Sequence, residues 1–416
     1  MAYYVDLIWN PQDSGLLSQK DRRPGRYQAY VPDPLGGQLP NLGPEASEAA
    51  DAALTVLVRA DEQVGAKGGY LNHLLIRSES ISSSWIEGNR ITPKKLAIAE
   101  LLKHGSSVAL DVVANVVATE DAIAELADRT KTVSAADIVR LQHVIEPRLT
   151  QGLRTEQNWV GGPGWSPLRA EFVPPPASEV ERLVDDLARF VTDTSGNPIV
   201  RTAVAHAQFE TIHPFIDGNG RTGRALIHTV LKRTDTLRNT LIPISTVFAG
   251  DTNAYIAGLT AFRQDPSRID DWIIGFARAT ELAAANAVQL ATRVAVLDAE
   301  TERTLLEFRA ARGIAPVRPR SDAVSLRILG KLALVPVLTV ENVVETHGVS
   351  TTAAHRALVE LADAGILQRT KDGRGKLLCW TADRYLDLVA LTERSNRVGG
   401  RDTASIRPRL GPPRPN

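Results

Sequence analysis

The segment 213–224, HPFIDGNGRTGR, gathers a histidine, a carboxylate, a glycine-rich turn and two arginines into one short stretch. Gly218, Asn219 and Gly220 allow backbone angles that most residues resist. They stand just before Ala225, Leu226, Ile227, Val230 and Leu231, an apolar pattern with helical spacing. A glycine-rich loop entering a helix N-terminus presents unpaired N–H groups and the positive end of the helix dipole, which makes an anion site. Arg221 and Arg224 fall in the first turn of that helix, three residues apart and on one face. Cations there oppose the dipole at a cost of a few tenths to about 1 kcal/mol. A polyphosphate between them removes the conflict, because guanidinium forks match phosphate oxygens. Asp217, beside such a cradle, is a natural Mg2+ ligand. His213 supplies a base of near-neutral pKa. The plainer reading of DGNG alone is a tight turn between two helices; the histidine and paired arginines in this order argue against it. The chain has no GxxxxGK[ST] P-loop, and none of its eight histidines falls in an HExxH zinc motif.

These residues need a scaffold, and the surrounding pattern is helical. Leu71, Leu74, Leu75, Ser78, Ile81 and Trp85 recur at spacings of three and four, and Gly88 is placed to end that helix in a left-handed cap. Further helical stretches run over 96–103, 113–127 and 135–145, with Ser134 and Asp137 as a capping box. Others run over 178–194, 199–212, 253–263 and 271–284, with helical spacing continuing to about 311. Between 158 and 176 the texture changes to Trp159, Val160, Gly161, Gly162 and later Phe172, Val173 and three prolines, which suggests a short hairpin. Residues 1–46, rich in proline and glycine from position 9 onward, read as an extended arm.

Composition narrows the class. The 416 residues carry 48 Lys plus Arg and 48 Asp plus Glu, a formal net charge of zero. That balance excludes action mainly by bulk attraction to nucleic acid or an anionic membrane. A single cysteine, Cys379, excludes an intrachain disulfide and a multi-cysteine zinc site. No run of about 18 apolar residues occurs and the N-terminus lacks signal-peptide features, so a cytoplasmic protein without a membrane partner is expected.

The segment 213–224 resembles the Fic family signature, HPFx[D/E]GNGRxxR, at every defined position, and the likeness extends to AHAQFETIHPF and GLRTEQNWVGG. The resemblance implies a mainly α protein, an all-helical core with a β-hairpin flap. It also implies transfer of AMP from ATP to a Ser, Thr or Tyr hydroxyl of a target protein. On that likeness His213 is the base and Asp217 holds Mg2+. Gly218, Asn219 and Gly220 form the anion hole, and Arg221, Thr222, Gly223 and Arg224 complete the nucleotide site. Phosphorylating relatives carry Lys where this chain has Gly220. One tyrosine of a base-contacting pair is kept, in Tyr255-Ile256, and Gly161 and Gly162 approach the nucleotide. The flap over 159–173 clamps the target by adding a strand to its edge. The stretch Ser83-Ser84-Trp85-Ile86-Glu87-Gly88 resembles the family's inhibitory motif [S/T]xxxE[G/N]. There Glu87 pairs with Arg224, Ser83 anchors the helix, and a carboxylate competes with phosphate for one guanidinium fork.

Residues 319–385 resemble a winged helix-turn-helix, with Gly348 at the bend, Ser350 as N-cap and KDGRGK as the wing. Arg369, Lys371, Arg374 and Lys376 suit phosphate contact, whereas the expected recognition helix offers Thr351, Thr352, His355 and Arg356 for base edges but also carries Glu360 and Asp363. DNA binding and protein contact, including homodimerisation, both stay open. So do a DNA-binding regulator that uses the core as a nucleotide sensor and an enzyme that removes AMP. The expected division is an arm at 1–46, a helical region with the inhibitory helix at 47–150 and the catalytic core at 151–290. A helical linker at 291–318, the winged unit at 319–385 and a disordered tail at 386–416 complete it.

Overall fold

A computed structural model of the chain describes residues 2–11, 18, 20–66, 69–103, 105–149, 151–162, 166–264, 268–371 and 378–395. The N-terminal segment is not a plain arm. It contains an antiparallel hairpin, β1 (Tyr3–Trp9) against β2 (Gly25–Val31), in a register that pairs Tyr3 with Val31 and Trp9 with Gly25. Period-two alternation forms it: Val5, Leu7 and Trp9 are partly covered while Tyr4, Asp6 and Ile8 face outward. Pro11, Pro24 and Pro32 sit outside the strands, so they bound the hairpin instead of breaking it.

Helices then follow as the patterning predicts. They are α1 (Pro44–Gly65), α2 (Gly69–Ile86), α3 (Pro93–Leu102), α4 (Ser107–Glu125) and α5 (Ala135–Ile145). Gly88, at φ +80°, takes the left-handed angle that ends α2, and its N–H donates to Trp85 O at 2.8 Å. The Ser134–Asp137 capping box at the start of α5 is present in both directions. After a loop containing one 3-10 turn (Pro167–Arg169) come α6 (Ala177–Asp193), α7 (Pro198–Ile212), α8 (Asn219–Arg233), α9 (Ser245–Gly250) and α10 (Thr252–Gln264). The expected flap hairpin amounts to one antiparallel bridge, Val160 to Phe172, among the described residues; 163–165 lie outside them. β2 continues this small sheet, with Tyr30 N–H donating to Val173 O at 3.0 Å. Trp9 packs edge-on against Trp159 at 5.7 Å between ring centres.

Every residue of α7 from Ile199 to Ile212 except Arg201 is buried, because the helix is packed on several sides by other helices, and it buries polar Thr202, His206, Gln208, Glu210 and Thr211 along with its apolar residues. Around it the core is continuous, with Trp272, Phe276 and Phe209 among its largest members. A single helix, α11 (Ile269–Ala311), runs through the boundary expected near 290 without a break. It joins the core, through Trp272 and Phe276, to the C-terminal unit, where Tyr385 donates its hydroxyl to Asp298 at 2.6 Å.

That unit comprises α12 (Val324–Leu329), β3 (Val337–Leu338), α13 (Val340–His347), α14 (Thr351–Asp363), β4 (Gln368–Lys371), β5 (Leu378–Thr381) and α15 (Asp383–Ser395). Its sheet has the order β3-β5-β4, both pairs antiparallel. Gly348 turns at φ +63° and Ser350 caps α14 through Ala353 N–H, as expected. Of the expected wing KDGRGK, residues 372–376, with Arg374 and Lys376, lie outside the described residues, as does Leu377. So does 396–416 of the expected tail, whereas 386–395 is helical instead of disordered. The acids of α14 are engaged locally: Glu360 pairs with Arg309 of α11, and Asp363 with Arg369 at 2.8 Å. The unit rests on the N-terminal helices. Arg77 of α2 bonds Glu100 and the Leu334 carbonyl, and Lys94 of α3 pairs with Asp383 at 3.0 Å. No described helix is long and apolar enough to cross a membrane.

Candidate functional site

The site forms where α7 ends and α8 begins. His213 caps α7 at φ +49°, a left-handed angle uncommon for a residue with a Cβ, and its N–H still donates to Phe209 O at 2.9 Å. Pro214 follows and cannot prolong the helix. The loop closes on Asn219, whose Oδ1 accepts from Phe215 N–H at 2.8 Å while its Nδ2 donates to Phe215 O at 2.7 Å. Asn219 is therefore a buried brace for the turn. Gly218 precedes α8 at φ +82°, an angle that favours glycine, and a Cβ there would also press on the Glu146 side chain. Thr222 is wholly buried and returns its hydroxyl to Gly218 O at 2.8 Å, which ties the first turn of α8 to the loop. Gly223 lets α8 approach α7, because a Cβ there would overlap Glu210 Oε1.

One cleft is lined by His213, Asp217, Gly218, Asn219 and Gly220, together with Asn158 and Trp159 of the flap and Glu87. His213 is half-buried, and its pKa falls to about 3. Burial is the main cause, followed by the positive charge of Arg154 and, more weakly, Arg263; the Glu210 carbonyl works in the opposite sense. The near-neutral pKa expected of His213 is therefore not what the structure gives: burial and the Arg154 charge make the imidazole a weaker base, while keeping it neutral, and so able to accept a proton, across the physiological range. Asp217 is half-buried at the cleft and accepts from Gly218 N–H at 2.7 Å.

Glu87 enters from beyond the end of α2. Its Oε1 lies 2.7 Å from Arg224 Nη2, and a Cβ at Gly220 would overlap that same oxygen. The carboxylate therefore sits on the N-terminal turn of α8, where the helix dipole and a guanidinium both favour negative charge. Arg224 is 1% exposed and also donates Nε to Ser83 Oγ and Nη2 to Ser83 O, both at 2.9 Å. Burial alone would lower its pKa, but the Glu87 charge, with Tyr255 and Glu210 nearby, raises it above the usual arginine value.

Arg221 and Arg224 have different protein partners. Arg221 points to Glu146, just past α5, in an ion pair whose members are 4% and 5% exposed. Two long side chains about 60° apart on a helix reach different neighbours, and here two different helices supply the carboxylates. Truncating one member of a buried pair strands the other charge. Glu146→Ala should therefore lower unfolding stability by about 3–5 kcal/mol in a urea titration; a loss below about 1 kcal/mol would place the pair with ordinary surface ion pairs.

Tyr255 packs into the core beside the site. It is 6% exposed, its hydroxyl lies 2.8 Å from His206 Nε2, and its ring stacks on Phe248 at 4.4 Å, so it belongs to the core and not to the cleft lining. Gly161 and Gly162 take φ +69° and +88°, and a Cβ at Gly162 would strike the Arg169 carbonyl, so hairpin geometry accounts for both. The sequence reading missed Glu146, Arg154, Asn158 and Glu210. Glu210 is buried beneath Gly223 and its pKa rises to about 7, chiefly through burial. Arg154 and Asn158 lie within GLRTEQNWVGG, and Glu210 within AHAQFETIHPF, but single residues in those stretches carry no spacing that marks them.

Residues 132–231 match the Fic/DOC family. Protein adenylyltransferase fic-1 of Caenorhabditis elegans is 30% identical over 111 residues, 27% of this chain and 20% of that protein. Protein adenylyltransferase Fic of Aedes aegypti is 24% identical over 242 residues, 56% of this chain and 44% of that protein. The chain thus spans less than half the length of these relatives. Among solved structures, a Fic family protein from Desulfovibrio desulfuricans G20 superposes with a TM-score of 0.47 at 18% identity, covering 85% of this chain and 98% of that one.

Proposed function

From the Fic/DOC domain that the chain carries at residues 132–231, we propose that the protein is an adenylyltransferase that moves AMP from ATP to a hydroxyl side chain of a target protein. The reading is carried by one observation: a neutral His213, Asp217 and the glycine-rich start of α8 line one cleft. His213 takes the proton of the target hydroxyl. The freed oxygen attacks the α-phosphorus, the bond to the bridging oxygen breaks, and pyrophosphate leaves. The N–H groups around Gly218 to Gly220 receive the phosphate charge at the helix N-terminus.

Among the described residues no group of three or more His, Cys, Asp or Glu could by itself hold a metal ion. A single carboxylate suits Mg2+, which takes its remaining ligands from phosphates and water, and Asp217 at the cleft fits that role. Bound there, Mg2+ neutralises phosphate charge. Labelling from ATP should accordingly vanish when divalent ions are chelated and return with added Mg2+; persistence in excess chelator would remove Asp217 from this role.

Glu87 acts as an internal anion that holds Arg224 and the start of α8 until ATP displaces it, with Ser83 fixing the guanidinium from the side. The functional test is incubation of the Glu87→Gly chain with labelled ATP in cell lysate, followed by mass spectrometry of any modified band. A nucleotide adduct on a Ser, Thr or Tyr side chain supports the reading. Failure of the variant to modify either itself or any other protein counts against it.

A further inference from the structure

We propose that Arg154 is a positioning residue that locks the left-handed turn at His213 to the base of the flap, so that one side chain sets both the entry to the cleft and the aim of the imidazole. The proposal rests on the reading of His213 as the base. Arg154 is 3% exposed and its described hydrogen bonds all end on main-chain carbonyls: Nε to His213 at 2.9 Å, Nη1 to Glu156 at 3.0 Å, Nη2 to Pro175 at 2.5 Å and to Ile212 at 3.4 Å. Its own N–H donates to Pro214 O at 2.9 Å. These carbonyls belong to the bend before the flap, the segment leaving it and the end of α7 with the turn at His213. Asn158 adds a second donor to the His213 carbonyl at 3.2 Å and reaches Phe215 O at 2.9 Å.

A residue with a Cβ keeps a positive φ only when its surroundings over-determine it. At His213 the donors to its carbonyl are that determination. Only a guanidinium offers five N–H groups in one rigid fork, so lysine could keep the charge but not the set of bonds. The charge matters separately. Arg154 faces carbonyl dipoles, and together with Arg263 of α10 it opposes protonation of the ring; the Glu210 carbonyl of α7 favours it, and Asp217 lines the same cleft. Burial lowers Arg154 itself to about 10, which leaves it charged at neutral pH.

Two substitutions in the Glu87→Gly chain separate the two effects. Arg154→Lys should lower kcat for labelling from ATP by about 10- to 100-fold while the KM for ATP changes less than about threefold. Arg154→Met should do the same and also move the NMR titration of His213, assigned with His213→Ala, from near 3 toward the ordinary histidine value. An unchanged kcat in the lysine variant overturns the proposal. So does a parallel change of kcat and KM, or a His213 titration that is the same with methionine as with arginine. If the methionine variant does not fold, Asn158→Ala, which removes the second donor to the same carbonyl, should lower kcat several-fold, and an unchanged rate there overturns the proposal equally. The titration needs no turnover. Absence of AMP transfer with Arg154 intact would therefore refute the proposed chemistry while the titration still judges Arg154.

Discussion

The Glu87→Gly chain should label itself from ATP roughly 5- to 150-fold faster than the unsubstituted chain, the range of a coupling free energy of about 1–3 kcal/mol. The reason is competition for one place. Arg224 is buried, and three of its hydrogen bonds are spent on Ser83 and Glu87. The Glu87 carboxylate also lies against Gly220, where the first turn of α8 would receive a phosphate oxygen. ATP that enters with Glu87 in place must either leave a phosphate without its cation or bend around the carboxylate. Glycine removes the anion and leaves the Ser83 contacts to hold Arg224. Ser83→Ala should have the same sign and a smaller size, because it deletes one hydrogen bond to a guanidinium that keeps its ion pair. Equal labelling of the Glu87→Gly and unsubstituted chains in a radiolabelled ATP assay would end the account of Glu87 as a restraint.

His213→Ala should lower labelling by about 10²- to 10⁴-fold, the usual contribution of a positioned proton acceptor. Neither neighbouring buried imidazole can replace it: His206 is fully buried, with its ring nitrogens on Gly223 O and Tyr255, and His228 is buried against Glu79. The pH dependence follows from the same group. A base is active when unprotonated, and the His213 pKa is depressed to about 3, so its loss by protonation belongs near pH 3 and not near the ordinary histidine value. The rate measured downward from neutral pH should therefore hold through the range where a free histidine titrates. A fall centred near pH 6.5 would show that His213 is not held as described, since that is its unperturbed value. Labelling that survives His213→Ala would require a different base.

What could be read from the sequence was what lay close together along the chain. The turn at 213–224 is contiguous, so its glycines, carboxylate and histidine declare an anion site before any fold is known. Glu87 and Arg224 are 137 residues apart, and only a second short motif foretold their contact. Where no motif marked the distant partner, the sequence did not reveal it. Arg221 finds Glu146 across the interface with α5, a pairing set by how two helices pack and invisible in local spacing. Tyr255 carries an aromatic ring that the core absorbs beside Phe248 and Trp272, so its type alone could not reveal which way it faces. The N-terminal hairpin was masked by its prolines, which count as breakers in a composition window but here fall just outside two alternating strands. Arg154 shows the same limit most clearly: its role lies in four carbonyls contributed by three separate segments.

This cleft is expected to transfer AMP and not a phosphoryl group, with His213 and Arg224 serving that transfer once Glu87 is gone. The transfer is tested most directly by incubating Glu87→Gly side by side with ATP labelled in the α-phosphate and ATP labelled in the γ-phosphate. The account predicts protein-bound label from the α position alone, and none when His213→Ala is added. Protein-bound label from the γ position, or α-label that persists without His213, would contradict it.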